Sequence, residues 1–190
     1  MTTLVGVIWR ETPDRIPAHS QVTDFYRSLG YEIQHFDSGH NNFNRAASRN
    51  LAVAAGATVI GDADCIPEPS ALGEAVRDVG ASAVHLPYTS CITYYPNGEP
   101  AGQFDFTCGG TYVTTPQAWF AIGGQDERFT LHGPEDFAFR IAHETLLGPM
   151  RRHAGILHSL GHLRDPHHHE ADDDPAILSL IHISEPTRPY

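Results

Sequence analysis

The chain has 190 residues, of which 41% are hydrophobic, and it carries a formal net charge of −11. This size and composition predict one domain with its own core, and the acidic balance argues against direct nucleic-acid binding, which needs basic patches to neutralise phosphates. All 12 basic residues are arginines, which excludes lysine Schiff-base chemistry and a P-loop lysine.

The sequence carries no signature of a membrane or secreted protein. No apolar run approaches the roughly 18 residues of a membrane helix, and no signal segment opens the chain. Cys65, Cys91 and Cys108 form no C-x-x-C pair, which argues against a disulfide framework or a zinc knuckle. We therefore expect a cytoplasmic protein without a membrane span.

Strand and helix patterns alternate through the first half of the chain. Apolar or alternating runs predict strands at residues 4–9, 31–36, 57–61 and 83–87. Apolar residues at helical spacing predict helices at 22–29, 43–55 and 69–79. This alternation indicates an α/β domain with a central, mostly parallel sheet and helices on both of its faces.

The second half has a different pattern. Pro-Asn-Gly at residues 96–98 predicts a hairpin turn, and a short strand is predicted at 111–114. Helices are predicted to begin at Thr115-Pro116 and at Pro134, and a last strand at 152–157.

The C-terminal residues have low complexity, with a run of histidines followed by a run of aspartates. We predict a domain over residues 1–165 and a disordered tail over 166–190. Residues 180–190 resemble translated sequencing-adapter sequence, so we treat the end of the tail as non-native.

Polar side chains follow the first three predicted strands. Arg10 follows the first strand, Asp37 the second, and Asp62 and Asp64 the third. In open α/β sheets ligands bind beyond the carboxyl ends of the strands, although each residue taken alone also suits a solvated turn. Residues two apart in an extended chain face the same way, so Asp62 and Asp64 could together hold Mg²⁺ or Mn²⁺.

Further candidates lie at helix starts and near the last strand. Asp136 could act as a general base, or Glu135 and Asp136 could only satisfy the helix dipole. Phe43 could stack on a base and Arg45 meet a phosphate, or the two could be a packing residue and an exposed arginine. A histidine after the last strand could complete a metal site or be structural; the histidines concerned are His158 and His162.

Taken together, five short motifs resemble a GT-A-fold glycosyltransferase. They are most similar to the catalytic domain of the β-1,4-galactosyltransferase family and the related galactosyltransferase C-terminal domain, over roughly residues 4–165. In chain order the motifs are Phe43-Asn44-Arg45-Ala46, Asp62-Ala63-Asp64, Gly109-Gly110, Ile122-Gly123-Gly124 and Gly133-Pro134-Glu135-Asp136. The resemblance implies a single GT-A, Rossmann-like domain.

The resemblance also implies roles at the donor and metal sites. Phe43 and Arg45 match positions that contact a uridine nucleotide, and Arg10 matches an arginine near the diphosphate. Asp64 matches the metal-binding aspartate, and Asp62 would act around the metal or the ribose. The metal-binding histidine matches His162, with His158 competing for the same role.

At the acceptor, the resemblance makes Asp136 the catalytic base and Glu135 an acceptor-binding acid. The family has a tryptophan-glycine-glycine before this acidic pair, whereas this chain has His132-Gly133-Pro134, which leaves the donor and acceptor specificity open.

The function expected from these features is metal-dependent transfer of a sugar from a nucleotide-sugar, such as a UDP-sugar, to an acceptor hydroxyl with inversion. The expected cofactor is Mn²⁺ or Mg²⁺, and the partners are the donor and a glycan or other hydroxyl acceptor. Two alternatives remain: a non-catalytic nucleotide-sugar or glycan-binding module, and a nucleotidyltransferase on a similar fold.

Overall fold

The computed structural model describes residues 2–80, 82–130 and 134–161. In chain order the elements are β1 (Leu4–Ile8), α1 (Ile16–Ser28), β2 (Glu32–Phe36), α2 (Arg45–Ala54), β3 (Val59–Asp62), β4 (Cys65–Pro67), α3 (Pro69–Asp78), β5 (His85–Leu86), β6 (Ser90–Tyr94), β7 (Pro100–Asp105), β8 (Thr111–Val113), α4 (Pro116–Phe120), α5 (Pro134–Leu147), β9 (Arg151–Arg152) and β10 (Ile156–Ser159). The predicted tail, 166–190, lies outside the described residues. Within those residues no helix is long and apolar enough to cross a membrane.

A six-stranded sheet in the order β2-β1-β3-β8-β5-β9 forms the centre of the domain. β1 pairs in parallel with both β2 and β3, whereas β8 runs antiparallel to β3 and β5. β1 is an almost continuous apolar run because both faces of a central parallel strand are covered. The predicted mostly parallel sheet is confirmed, with β8 as its reversed strand.

Helices cover both faces of this sheet. On one face Val5 and Val7 of β1 pack with Val22 and Tyr26 of α1, in a cluster that also includes Leu72 of α3. On the other face Ile8, Ala52 and Val53 belong to a second buried cluster, to which α2 contributes. The predicted arrangement of helices on both faces is confirmed.

Helix starts follow the capping residues. α2 begins at Arg45 because the side chain of Asn44 accepts a hydrogen bond from the amide of Ala47 at 2.9 Å, so the helix is shorter than the predicted range 43–55. Thr115 caps α4 in the same way, and Pro116 occupies its first turn, as predicted. α1 begins at Ile16, well before the predicted start at residue 22, because Pro17 suits a first helical turn.

The predicted last strand at residues 152–157 is wrong as a single element. It divides into β9, which extends the six-stranded sheet beside β5, and β10, which enters a different sheet. Gly155 lies between the two, where a Cβ atom would come within 2.6 Å of the Cβ of Ala71. The chain therefore passes close to α3 at this point and changes sheet.

A second, four-stranded sheet in the order β4-β10-β6-β7 was not predicted. Its β6–β7 pair is the hairpin that the Pro-Asn-Gly signal predicted, with Gly98 at a φ of 84° in the turn. β4 begins three residues after Asp62, so this sheet begins directly beside the predicted metal ligands.

A buried histidine pair links β5 to the segment after β9. His85 is 1% exposed, and its Nδ1 lies 3.0 Å from Nε2 of His153. Burial, and then the nearby His153, lower the pKa of His85 from 6.5 to about 4. The folded protein therefore favours neutral His85, and this contribution to stability is complete above about pH 6.5 and is lost as the pH falls towards about 4.

We expect the titration of His85 to lower the free energy of unfolding by roughly 2–3 kcal/mol between about pH 7 and about pH 4.5, measured as the difference between the parent protein and His85→Asn in urea titration. Because asparagine does not titrate, the slope of unfolding free energy against pH in His85→Asn should be smaller than in the parent protein. The slope that remains comes from other histidines whose pKa values burial also lowers, namely His19, His35 and His143. An unchanged slope in His85→Asn would contradict this assignment.

Candidate active site

The parallel register brings three predicted site residues to one edge of the six-stranded sheet. Ile8 of β1 pairs with Phe36 of β2 and with Asp62 of β3. Arg10, Asp37 and Asp62 thus lie at or just beyond the carboxyl ends of neighbouring strands, which is where ligands bind in such sheets.

At this edge, the side chain of Arg49 in α2 contacts acidic residues of both β3 and α5. Its fully buried guanidinium donates to both oxygens of Asp62, at 2.9 and 2.8 Å from Nη2. Nη1 donates to Oδ1 of Asp136 at 2.6 Å and to Oε1 of Gln125 at 3.0 Å, and it lies 3.9 Å from Glu135. One arginine therefore joins the end of β3 to the beginning of α5.

Asp136 lies in the first turn of α5, where a carboxylate complements the helix dipole. Besides Arg49, Oη of Tyr112 at 2.5 Å and Nε2 of Gln125 at 3.1 Å donate to its Oδ1. Burial alone would raise the pKa of Asp136, but the charges of Arg49 and Arg45 and then these hydrogen bonds hold it below its ordinary value. Asp136 is therefore ionised at neutral pH.

The neighbouring Glu135 has a different environment. Its side chain is buried, and Oε1 forms an ion pair with Nε of Arg45 at 3.2 Å. Burial, and then the charge of Asp136, raise the pKa of Glu135 despite the two nearby arginines. The acidic pair thus has one carboxyl whose pKa is lowered and one whose pKa is raised.

Asp62, Asp64 and Cys65 present ligand atoms that all lie within 4.8 Å of one another. Burial raises the pKa of the Cys65 thiol well above its ordinary value, so the thiol stays protonated, and it donates to Oδ1 of Asp64 at 3.4 Å. The oxygen ligands that a hard cation prefers are therefore the two carboxylates. Asp62 can serve although Arg49 binds it, because a carboxylate has about four lone-pair sites.

The charges at this edge also suit a divalent cation. Four carboxylates and two guanidinium groups gather here, which leaves two negative charges in excess when all are ionised; the groups are those of Asp62, Asp64, Glu135, Asp136, Arg45 and Arg49. A bound Mg²⁺ or Mn²⁺ would neutralise this excess, so the residues present fit such an ion.

Of the two candidate histidines, only His158 lies among the described residues. His158 lies in β10, where its Nδ1 is 2.8 Å from the hydroxyl of Tyr94. Among the described residues it does not join the group formed by Asp62, Asp64 and Cys65. His162 lies outside the described residues, so its predicted role as a metal ligand stays a prediction.

Arg10 contacts both Asp37 and Phe43. Nε and Nη2 of Arg10 donate to the two oxygens of Asp37 at 2.6 and 2.7 Å, and the guanidinium also donates to the carbonyl groups of His40 and Asn41. The same guanidinium lies 5.3 Å from the ring centre of Phe43. Arg10 thus holds the loop that follows β2, whereas Arg45 is directed at Asp62 and Glu135.

Two adjacent glycines let the loop before β8 reach the acidic groups. Gly109 and Gly110 have φ values of 103° and 74°, a region that favours glycine. A Cβ atom on Gly109 would collide with Oδ2 of Asp136, and one on Gly110 would lie 2.7 Å from Cδ2 of Leu157. Both positions therefore require glycine for backbone conformation and for space.

No protein-family model matches the sequence, and no curated protein matches it. Solved structures do resemble the chain, and two of them are of one Drosophila enzyme. The catalytic domain of Drosophila β1,4-galactosyltransferase 7 in complex with xylobiose has a TM-score of 0.62 at 15% identity, covering 98% of this chain and 82% of that one. A mutant of that enzyme in complex with manganese, UDP-Gal and xylobiose has a TM-score of 0.63 at 13% identity, covering 100% and 82%.

The protein has a GT-A fold. At this level of identity the likeness establishes the fold, and it confirms the predicted fold class and the resemblance of the fold to that of galactosyltransferases. The roles predicted for individual side chains stay predictions.

Three residues of the buried cluster around Asp136 were not predicted from the sequence, namely Arg49, Tyr112 and Gln125. One signal was available for Arg49: it follows Arg45 by four residues, so both lie on one face of α2, which is also the face that packs on the sheet. Tyr112 is the second residue after Gly109-Gly110, and Gln125 directly follows Gly123-Gly124. Nothing in this spacing distinguishes the two residues from core residues.

We expect Arg49→Leu to lower the free energy of unfolding by about 3–5 kcal/mol, because it leaves buried Asp62 and Asp136 without their counter-charge. Arg128→Leu is the matched control, since Arg128 pairs with Asp126 on the surface, where ion pairs add little. Urea titration of both variants measures the two losses of unfolding free energy. Equal losses would contradict the prediction that the buried ion pairs of Arg49 contribute more to stability than the surface pair of Arg128.

Proposed function

We propose that this protein is a metal-dependent glycosyltransferase that moves a sugar from a nucleotide-sugar to an acceptor hydroxyl. The observation that carries the proposal is the convergence of two acidic pairs on one buried arginine. Asp62 ends β3 with Asp64 close beside it, and Glu135 and Asp136 lie in the first turn of α5. Arg49 contacts Asp62 of the first pair and both acids of the second, in a domain with a GT-A fold.

The bound ligands of the similar structures suggest the substrate class. Those Drosophila structures contain xylobiose, and one also contains manganese and UDP-Gal. We propose by analogy that this chain uses a UDP-sugar donor, a glycan acceptor and Mn²⁺ or Mg²⁺.

The donor would lie along the ends of β1, β2 and β3. Phe43, whose ring centre lies 5.3 Å from the guanidinium of Arg10, would line the side of the base, and Arg10 and Asp37 hold the loop that carries it. Arg45, which is only 20% exposed, would meet the nucleotide from the side of Asp62. Asp62 and Asp64 would hold the metal, which when bound stabilises the leaving diphosphate as a Lewis acid.

The acceptor would approach from the side of α5. Asp136, kept ionised by Arg49, would take the proton of the attacking hydroxyl, and buried Glu135 would bind another hydroxyl of the acceptor. By analogy with the galactosyltransferase family that the sequence resembles, the proposal includes inversion of the anomeric configuration.

The direct test is incubation of the protein with a panel of nucleotide-sugars and Mn²⁺, with and without chelator. Release of nucleoside diphosphate from one donor, abolished by chelator, would support the proposal and name the donor. Release of pyrophosphate would instead indicate a nucleotidyltransferase. A donor that binds in calorimetry but is not consumed with any acceptor would indicate a binding module.

We expect Asp136→Asn to lower turnover of that donor by about 10²- to 10⁴-fold while donor affinity changes little. Asparagine keeps an Oδ1 acceptor for Arg49 and Tyr112 but cannot take the proton. Asp24→Asn is the control, because Asp24 is 77% exposed on α1. Full turnover in Asp136→Asn would remove Asp136 from the role of base.

We expect Asp64→Ala to abolish the metal-dependent part of donor affinity, measured by calorimetry with and without Mn²⁺, while the fold remains stable. Asp62→Ala should lose the same binding and also several kcal/mol of unfolding free energy, because Asp62 balances buried Arg49. Asp24→Ala again serves as the control. Metal-dependent affinity that survives in Asp64→Ala would contradict the assignment of Asp64 as a ligand.

A further inference from the structure

The two oxygens of the Asp136 carboxylate have different surroundings. Three donors contact Oδ1: Nη1 of Arg49 at 2.6 Å, Oη of Tyr112 at 2.5 Å and Nε2 of Gln125 at 3.1 Å. Because all three contacts converge on the same oxygen, they fix the rotation of the carboxylate as well as its position.

The other oxygen, Oδ2, lies beside a glycine. It faces Gly109, where even a Cβ atom would collide with it. The carbonyl of Gly109 accepts a hydrogen bond from the hydroxyl of Tyr88 at 2.5 Å, which holds the loop in place. On the side of Gly109, Oδ2 therefore meets backbone rather than a side chain.

The donors to Oδ1 are themselves held in place. Oε1 of Gln125 accepts from Arg49 at 3.0 Å, so its amide nitrogen is the end that faces Asp136. Arg49 in turn is fixed by two hydrogen bonds from Nη2 to Asp62. A continuous series of contacts thus runs from the end of β3 to Oδ1 of Asp136.

We propose that Arg49, Tyr112 and Gln125 are positioning residues that hold Asp136 by its Oδ1 and so reserve Oδ2 for the proton of the acceptor hydroxyl. This inference rests on the proposed transferase function, and it names the residues on which the geometry of the base depends.

The acceptor oxygen forms a bond to the anomeric carbon, the bond from that carbon to the diphosphate oxygen breaks, and its electron pair leaves with the nucleoside diphosphate. The hydroxyl proton moves to Oδ2 of Asp136, which later releases it to water. Orientation matters because a proton moves efficiently only along a short, aligned hydrogen bond.

Removing a donor to Oδ1 also changes the charge balance around the base. The pKa of Asp136 is raised by burial and lowered by the charges of Arg49 and Arg45 and by hydrogen bonds from Tyr112 and Gln125. Loss of one of these donors therefore moves the pKa upward. The titratable and charged groups around Asp136 are Arg45, Arg49, Asp62, Tyr88, Cys108, Tyr112 and Glu135.

Two isosteric variants test the proposal, together with a matched control. Tyr112→Phe removes one donor and keeps the ring that packs on Trp119. Gln125→Glu keeps an acceptor for Arg49 but sets a carboxylate against Oδ1 of Asp136. Tyr26→Phe is the control, because Tyr26 is equally buried but contacts Gly61 rather than Asp136.

We expect kcat to fall about tenfold in Tyr112→Phe and further in Gln125→Glu, with the donor Kd within about twofold of the parent value. In both variants the acid limb of the plot of kcat against pH should move to higher pH. This comparison uses only pH values at which circular dichroism shows that the variants are folded. Tyr26→Phe should match the parent protein in all three measurements.

An acid limb that stays in place, with activity falling only in proportion to the folded fraction, would overturn the positioning role and leave the proposed function intact. A donor Kd that rises as much as kcat falls would also overturn it, since the residues would then act on donor binding. A parent protein that consumes no nucleotide-sugar would overturn the proposed function itself and the inference with it.

Discussion

The buried guanidinium of Arg49 is the interaction on which the rest of the site depends. A fully buried charge costs several kcal/mol to desolvate, and it is tolerated only when its partners are charged and well aligned. Asp62 and Asp136 supply that compensation from β3 and from α5, so α2 must lie where it can contact both. The ion pairs therefore fix how the beginning of α5 and the end of β3 face each other, and with them the distance between the carboxylates of Asp62 and Asp136.

Within this arrangement the neighbouring acids Asp136 and Glu135 have pKa values shifted in opposite directions. Asp136 accepts three hydrogen bonds on one oxygen and stays ionised, whereas buried Glu135 has its pKa raised although Arg45 lies 3.2 Å away. A carboxylate fixed by one oxygen suits a base of defined direction, and a neighbouring buried acid suits binding of a hydroxyl. Close approach of the loop before β8 completes the arrangement, and only glycine at positions 109 and 110 permits that approach.

Much of the fold could be predicted because it rests on local rules. The period of apolar residues gave the strand–helix alternation, and capping residues such as Asn44 and Thr115 account for where α2 and α4 begin. The division of residues 152–157 between two sheets could not be predicted, because a short apolar run does not indicate its partner strand. The second sheet was missed for the same reason, except for its hairpin, whose turn residues are a local signal.

By itself, the sequence determined the order of the βα units, the acids that follow β3 and begin α5, and the exclusion of lysine chemistry, because these depend on composition and on residues close together in the chain. Only the tertiary structure decided that Arg49 joins Asp62 to Asp136, which lies 87 residues further along the chain than Arg49. Nothing in the neighbourhood of an arginine tells whether it will be solvated or buried. That depends on the order of strands in the sheet, which places α2, β3, β8 and α5 around one guanidinium and excludes water from it.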